Sequence, residues 1–160
     1  MALIKATLTN GLTKIFAAGR GTPLLAAEDW VNAYVDYAKV ATGFGVPPVI
    51  TDDNKEAMRN LLETLFKDVY TGSPSIAANG IATALTAFWF SPITIFAPVA
   101  YVSLVSGTAA LVTGLTTNFI SRTPGATAAS KALEIATLID TFTRTVVVTN
   151  YSSGLTMPIS

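Results

Sequence analysis

The 160-residue chain contains no histidine and no cysteine. Without histidine there is no imidazole base for a Ser-His-Asp or Cys-His arrangement, and the commonest transition-metal ligand is missing. Without cysteine there is no disulfide framework, zinc knuckle, iron–sulfur ligand or thiol nucleophile. What remains is carboxylates, hydroxyls and glycine-rich turns. Asp52, Asp53 and Glu56 could hold a hard cation or act as an acid pair, but they lack the alternating spacing of a calcium loop and sit where a helix begins. Glu28 and Asp29 are adjacent, so on a helix they diverge by about 100° and do not share a substrate face. Ser106, Ser152 and Ser153 have no activating base, and Ser130-Lys131 are neighbours rather than an S-x-x-K pair. Gly19-Arg20-Gly21 and Gly43-Phe44-Gly45 begin like a phosphate loop but do not complete one, and read as turns. No catalytic, cofactor-binding or metal-binding residue is expected.

The chain is instead built from small, weakly polar residues. Counting gives 24 Ala and 23 Thr, and hydrophobic residues make up 51%. Charged residues are only 12%, about half the usual share, and ten basic residues balance ten acidic ones. A neutral chain has no electrostatic footprint for nucleic acid, so specific nucleic-acid binding is not expected. The charges are uneven: residues 1–68 hold 15 of them, residues 69–121 none, and the last 39 residues five. The middle of the chain must be buried or face something other than water.

Hydrophobic periodicity predicts mostly helix. Ile4, Leu8, Leu12, Ile15 and Phe16 form a first stripe, ended by Gly19, with Gly11 a weak point inside it; the apolar run is too broken for a signal peptide. Thr22-Pro23 starts a second helix carrying Ala27, Trp30, Val31, Tyr34, Tyr37 and Ala38 inward. A third begins at Thr51, with Met58, Leu61, Leu62, Leu65, Phe66 and Val69 on its apolar face. Gly72-Ser73-Pro74 breaks the chain and starts a fourth helix that ends before Ser91-Pro92. Residues 92–105 read as extended chain or a loose hairpin. A fifth helix runs from Gly107 to about Ile120, and Arg122-Thr123-Pro124-Gly125 is a turn. The last helix spans about Ala126 to Thr143, with Ala132, Leu133, Ala136, Ile139 and Phe142 inward. Thr145–Thr149 is a strand with Val146 and Val148 on one face and Val147 on the other, and Leu155–Ile159 a returning edge segment. The expected fold is a mainly α, single-domain bundle of about six helices over residues 1–160, with a small C-terminal β element.

Two groups are candidate interface residues. Phe88, Trp89 and Phe90 cluster at a helix end and suit either core packing or an interface anchor. Val146, Val147 and Val148 form a strand that must pair within the domain or with a neighbouring chain. A membrane reading competes. Residues 93–115 are uncharged and long enough to span a bilayer, but Pro98 and Gly107 interrupt any single helix.

Three stretches carry a resemblance: the Thr22-Pro23 helix start, Phe88-Trp89-Phe90-Ser91-Pro92-Ile93 after an Ala-rich helix, and Ile139-Asp140-Thr141-Phe142-Thr143-Arg144-Thr145-Val146-Val147-Val148. Together with the Ala/Thr-rich composition they resemble small virion structural proteins of tailed bacteriophages, of the head–tail connector or neck type. The resemblance implies a non-enzymatic virion subunit that forms a homo-oligomer and contacts portal, connector or tail subunits. The alternative is a membrane-active, channel-forming or ejection-associated protein that uses the uncharged 69–121 segment.

Overall fold

The computed structural model describes residues 3–19, 21–68, 73–121 and 124–160. Val69, Gly72, Arg20, Arg122 and Thr123, named above in a helix stripe and in turns, lie outside the described residues.

Six helices are present among the described residues: α1 (Lys5–Ala18), α2 (Pro23–Ala38), α3 (Asp52–Lys67), α4 (Pro74–Phe90), α5 (Thr108–Ile120) and α6 (Ala128–Thr143). Their starts follow the local chemistry. The hydroxyls of Thr22 and Ser73 accept from the third residue on, with Pro23 and Pro74 at the first helical position. Thr51 with Asn54, and Thr127 with Ser130, each make a reciprocal capping box. Successive helices pack side by side, and α6 returns to pack against α1, so the six alternate up and down in a closed ring. Gly11 sits where α1 and α2 approach most closely: a Cβ there would lie 2.7 Å from the Ala33 Cβ. Close packing explains a residue that helix propensity alone disfavours.

Residues 92–105 form a hairpin, resolving the extended reading into β1 (Ile95–Phe96) and β2 (Ala100–Val105). After α6 come β3 (Val146–Asn150) and β4 (Thr156–Pro158), giving an antiparallel sheet in the order β1-β2-β3-β4. The sheet packs across one end of the bundle. Phe96, Ala100, Val102, Val146 and Val148 point inward and are fully buried. The fit is tight at the loop after α2, where a Cβ on Gly43 would lie 2.9 Å from the Val148 Cγ2. Gly43-Phe44-Gly45-Val46 closes there as a tight turn, with φ of 52° at Phe44 and 78° at Gly45. Three positions differ from the predicted stripes, the first being Ile4 ahead of α1, which is exposed. Leu61 and Leu133 face outward, and Ile135 takes the inward place on α6, because helix closure rotates each stripe by part of a turn.

Polar side chains lock the ends together. Trp89 Nε1 donates to the Tyr34 hydroxyl at 2.7 Å. That hydroxyl lies 2.9 Å from Thr143 Oγ1, which itself donates to the Ile139 carbonyl at 2.8 Å. Tyr34 must therefore donate to Thr143, and the relay from α4 through α2 to α6 is fully satisfied. One turn on, Tyr37 donates to Asp140 at 2.5 Å, and Arg144 grips Asp140 with two nitrogens while donating to the Leu3 carbonyl at 3.1 Å. Buried Asn54 donates to the carbonyls of Phe88 and Pro92, holding the end of α4 against the start of α3.

Burial pushes the Tyr34 and Tyr37 phenols well above the ordinary tyrosine range, and the bond to Asp140 adds to the rise at Tyr37. Both stay protonated in the folded chain where an unfolded tyrosine ionises. Above about pH 10 the unfolded chain therefore binds fewer protons, and stability falls as pH rises. Tyr34→Phe strands the Trp89 donor and lowers stability by about 1–3 kcal/mol at neutral pH. Urea titrations across the alkaline range should also show a shallower loss of stability in this variant than in the parent chain.

Candidate functional site

The charged residues do not converge on a reactive centre. Glu28, Asp52, Lys55, Glu56 and Arg59 line one cleft between α2 and α3, so three of the carboxylates singled out above do share a surface. Within it Asp52 pairs with Lys55 at 2.8 Å and Glu56 with Arg59 at 3.3 Å, each one turn along the same helix. The hydrogen bond and charge of Lys55 hold the Asp52 carboxyl below its ordinary range. Among the described residues no group of three or more carboxylates could hold a metal ion. The serines have structural partners. Ser130 completes the α6 cap, Ser106 donates to the Thr145 carbonyl, and Ser152 and Ser153 bond Asn150 in a turn.

Interface candidates divide by burial. Phe88 and Trp89 are fully buried in the core of the single chain, with ring contacts to Tyr34, because their helix face meets α2. Neither can serve as a surface anchor; Phe90, on the opposite side of α4, is 41% exposed. Val146 and Val148 are likewise internal, and β3 is paired on both sides within the chain. Of the two pairings left open for this strand, the structure takes the one within the chain: β3 is central, and β1 and β4 are the edges of the described sheet. Val147 alone of the three faces outward and is half-buried.

Both edges are blunted. Along β4 the backbone bonds Asn150 N–H to Leu155 and Ile159 N–H to Val146 set the register, so Thr156 and Pro158 direct their backbone groups away from the sheet. Pro158 has no N–H to present. At β1, Val49 N–H already occupies the Ile95 carbonyl at 2.8 Å. Strand addition is thus hindered at Ile95 and at Pro158, whereas Thr156 presents its N–H and C=O outward.

The outer face and rim of the sheet are uncharged and largely apolar. Register places Ile95, Tyr101 and Thr149 in one outward row and Leu104, Val147 and Pro158 in another. The Tyr151 ring lies on Tyr101 at 5.1 Å. Seven of the fourteen exposed large hydrophobics gather on or beside this sheet: Val49, Phe90, Ile93, Ile95, Leu104, Tyr151 and Leu155. An antiparallel sheet with a solvated face normally alternates to polar residues there; here Tyr101, Thr149 and Thr156 supply hydroxyls, the second row is apolar, and no outward side chain is charged.

At the other end the described ends of the six helices border a second apolar region. A cavity of about 410 Å³ enters the bundle there, lined from all six helices. Phe16, Phe66 and Phe119, each in the last turn of α1, α3 or α5, form its walls, and buried Trp30, Ile81 and Ile135 its floor. Asp68 at the rim is the one charged residue among the described lining. The sequence reading missed this cavity, although a phenylalanine closing every second helix was a signal for it. No helix among the described residues is long and apolar enough to cross a membrane, and residues 93–115 divide between the hairpin and α5.

No known family model, curated protein or solved structure matches the chain.

If the outer sheet face is a surface rather than part of the core, Leu104→Ser changes stability by no more than about 0.5 kcal/mol. Val148→Ala, on the inner face of the same sheet, costs about 1–3 kcal/mol. Chemical denaturation of the two variants checks the contrast.

Proposed function

We propose that this chain is a non-enzymatic structural subunit of a tailed-phage virion, placed in the head–tail neck or connector region and working as a homo-oligomer with neighbouring virion proteins. The observation that carries the assembly part is the concentration of exposed, uncharged apolar side chains at the sheet end of the bundle. Monomeric proteins rarely expose contiguous patches of this kind, and obligate interfaces are more apolar than ordinary surface. The virion part rests on the resemblance of the Phe88–Ile93 and Ile139–Val148 stretches.

The rest of the molecule is consistent with a building block. Asp52 and Glu56 pair with cations one turn along α3, and the buried hydroxyls of Tyr34 and Thr143 are used to join helices. A neutral subunit can line a passage for DNA without gripping it.

Size-exclusion chromatography with light scattering, with and without detergent, tests the reading. The expected result is one discrete species in plain buffer, several times the 16.7 kDa chain mass. A monomer at every concentration overturns the homo-oligomer. Material that disperses only in detergent overturns it in favour of a membrane-active protein.

A further inference from the structure

Residues 155–160 are held to the rest of the molecule mainly by backbone. Asn150 N–H donates to the Leu155 carbonyl and Ile159 N–H to the Val146 carbonyl, both at 2.9 Å, along β3. On the opposite side, Thr42 N–H donates to the Ser160 carbonyl at 2.9 Å and Ser160 N–H to the Thr42 carbonyl at 3.1 Å. The hydroxyls of the same two residues lie 2.9 Å apart. Of residues 151–160 only Ile159 is buried; Met157 is half-buried and the others are exposed.

Local opening is cheapest where few apolar side chains are buried, so this segment can detach while the helices stay packed. Its departure leaves a seat that demands refilling. The Val146 carbonyl and the Asn150 N–H lose their partners, and the space that holds Ile159 is vacated. Unpaired strand-edge groups and an unfilled apolar site both cost free energy. The linker to the seat is residues 151–154. It is folded as a turn in which Asn150 Oδ1 accepts from the Ser152 and Ser153 N–H groups at 2.9 and 3.0 Å, and Gly154 takes a φ of 67°. Straightened, four residues span about 13 Å.

We infer that residues 155–160 are an exchangeable strap, and that in the assembly their seat on β3 is filled by the same segment of a second copy. The inference rests on the self-assembly proposed above and names its contact. The occupant is read from the structure, because the seat is seen holding this very sequence: Ile159 is buried, Pro158 lies where no inward N–H is needed, and Ser160 is bonded to Thr42. A foreign strand would have to reproduce the aliphatic side chain and the hydroxyl in that register, whereas a second copy does so by identity. The contacts are the same in either case, so exchange alters only the shape of the linker and the number of chains joined. Residues 145–160 carry no charge, so the sheets of two copies meet without like-charge repulsion. The exchanged sheet also keeps Pro158 on its outer edge, as the closed one does. Reciprocal exchange joins two copies, and handing the strap to the next copy in turn closes a ring when the rotation per copy permits.

The lack of cysteine makes the contact directly readable. The mutual bonds of Thr42 and Ser160 set their Cα atoms about 5.5 Å apart, within disulfide reach. When Thr42→Cys and Ser160→Cys chains are co-expressed and mildly oxidised, only exchange seats the two sulfurs together. The expected product on a non-reducing gel has twice the 16.7 kDa chain mass, and the double variant Thr42→Cys/Ser160→Cys links chain to chain. Gly154→Val, added to both chains and checked for folding by circular dichroism, strains the closed turn but suits a straight linker. It should raise the ratio of linked to unlinked chains about five-fold. If light scattering finds an assembly while the co-expressed chains stay unlinked and the double variant closes only on itself, the inference falls and the homo-oligomer stands. Linked product whose yield Gly154→Val leaves unchanged reflects collision and also overturns the inference. A parent chain that is monomeric throughout removes both.

Discussion

The Tyr34 hydroxyl holds this fold's ring closed. It accepts a hydrogen bond from Trp89 and donates one to Thr143, joining the fourth helix to the second and the second to the sixth in a fully buried part of the molecule. Each group in the relay is saturated, which is the condition under which a buried polar network adds specificity instead of cost. Beside it, Tyr37, Asp140 and Arg144 tie the end of α6 to α2 and to the segment before α1. A six-helix bundle of alanine-rich sequence could slide or splay, since alanine specifies little by shape. These few polar contacts fix which helix meets which.

Closure dictates the two ends. Six helices packed in a ring leave two ends to cover. The two hairpins cover one of them, placing Phe96, Val102 and Val148 over the core. That use of the inner sheet face leaves the outer face to the surroundings, and the helices' terminal phenylalanines leave the opposite end apolar. The absence of charge from residues 69–121 thus has two causes. Part of that stretch is the core of α4 and α5, and part is the exposed rim of the sheet. A subunit that gains stability by burying such surfaces against its neighbours has reason to keep them uncharged.

Much of this was legible in the residues, for reasons that are local. Thr22-Pro23, Thr51 and Ser73-Pro74 mark helix starts through hydroxyl caps and proline geometry, and the stripes of α2 and α5 follow the helical period. What was not legible depends on contacts distant in the chain. Phe88 and Trp89 read equally well as core or interface until Tyr34 of α2 reaches them across the core. The pairing of β3 needed β2, which comes more than forty residues earlier and follows the turn that contains Pro98. Gly11 looked like a weak point because propensity does not register the Ala33 methyl it makes room for. The second apolar region was hidden for the same reason: Phe16, Phe66 and Phe119 are unremarkable one at a time and become a wall only when alternate helices end side by side.

The central claim is that this is a particle component built to associate, not a catalyst and not a membrane channel. Quantitative mass spectrometry of gradient-purified particles of the phage to which the proposal assigns it tests that most directly. The account predicts the chain in the particles at a fixed copy number, a small multiple consistent with one ring per virion. Its absence from purified particles, with enrichment in the membrane fraction of infected cells, would contradict the account.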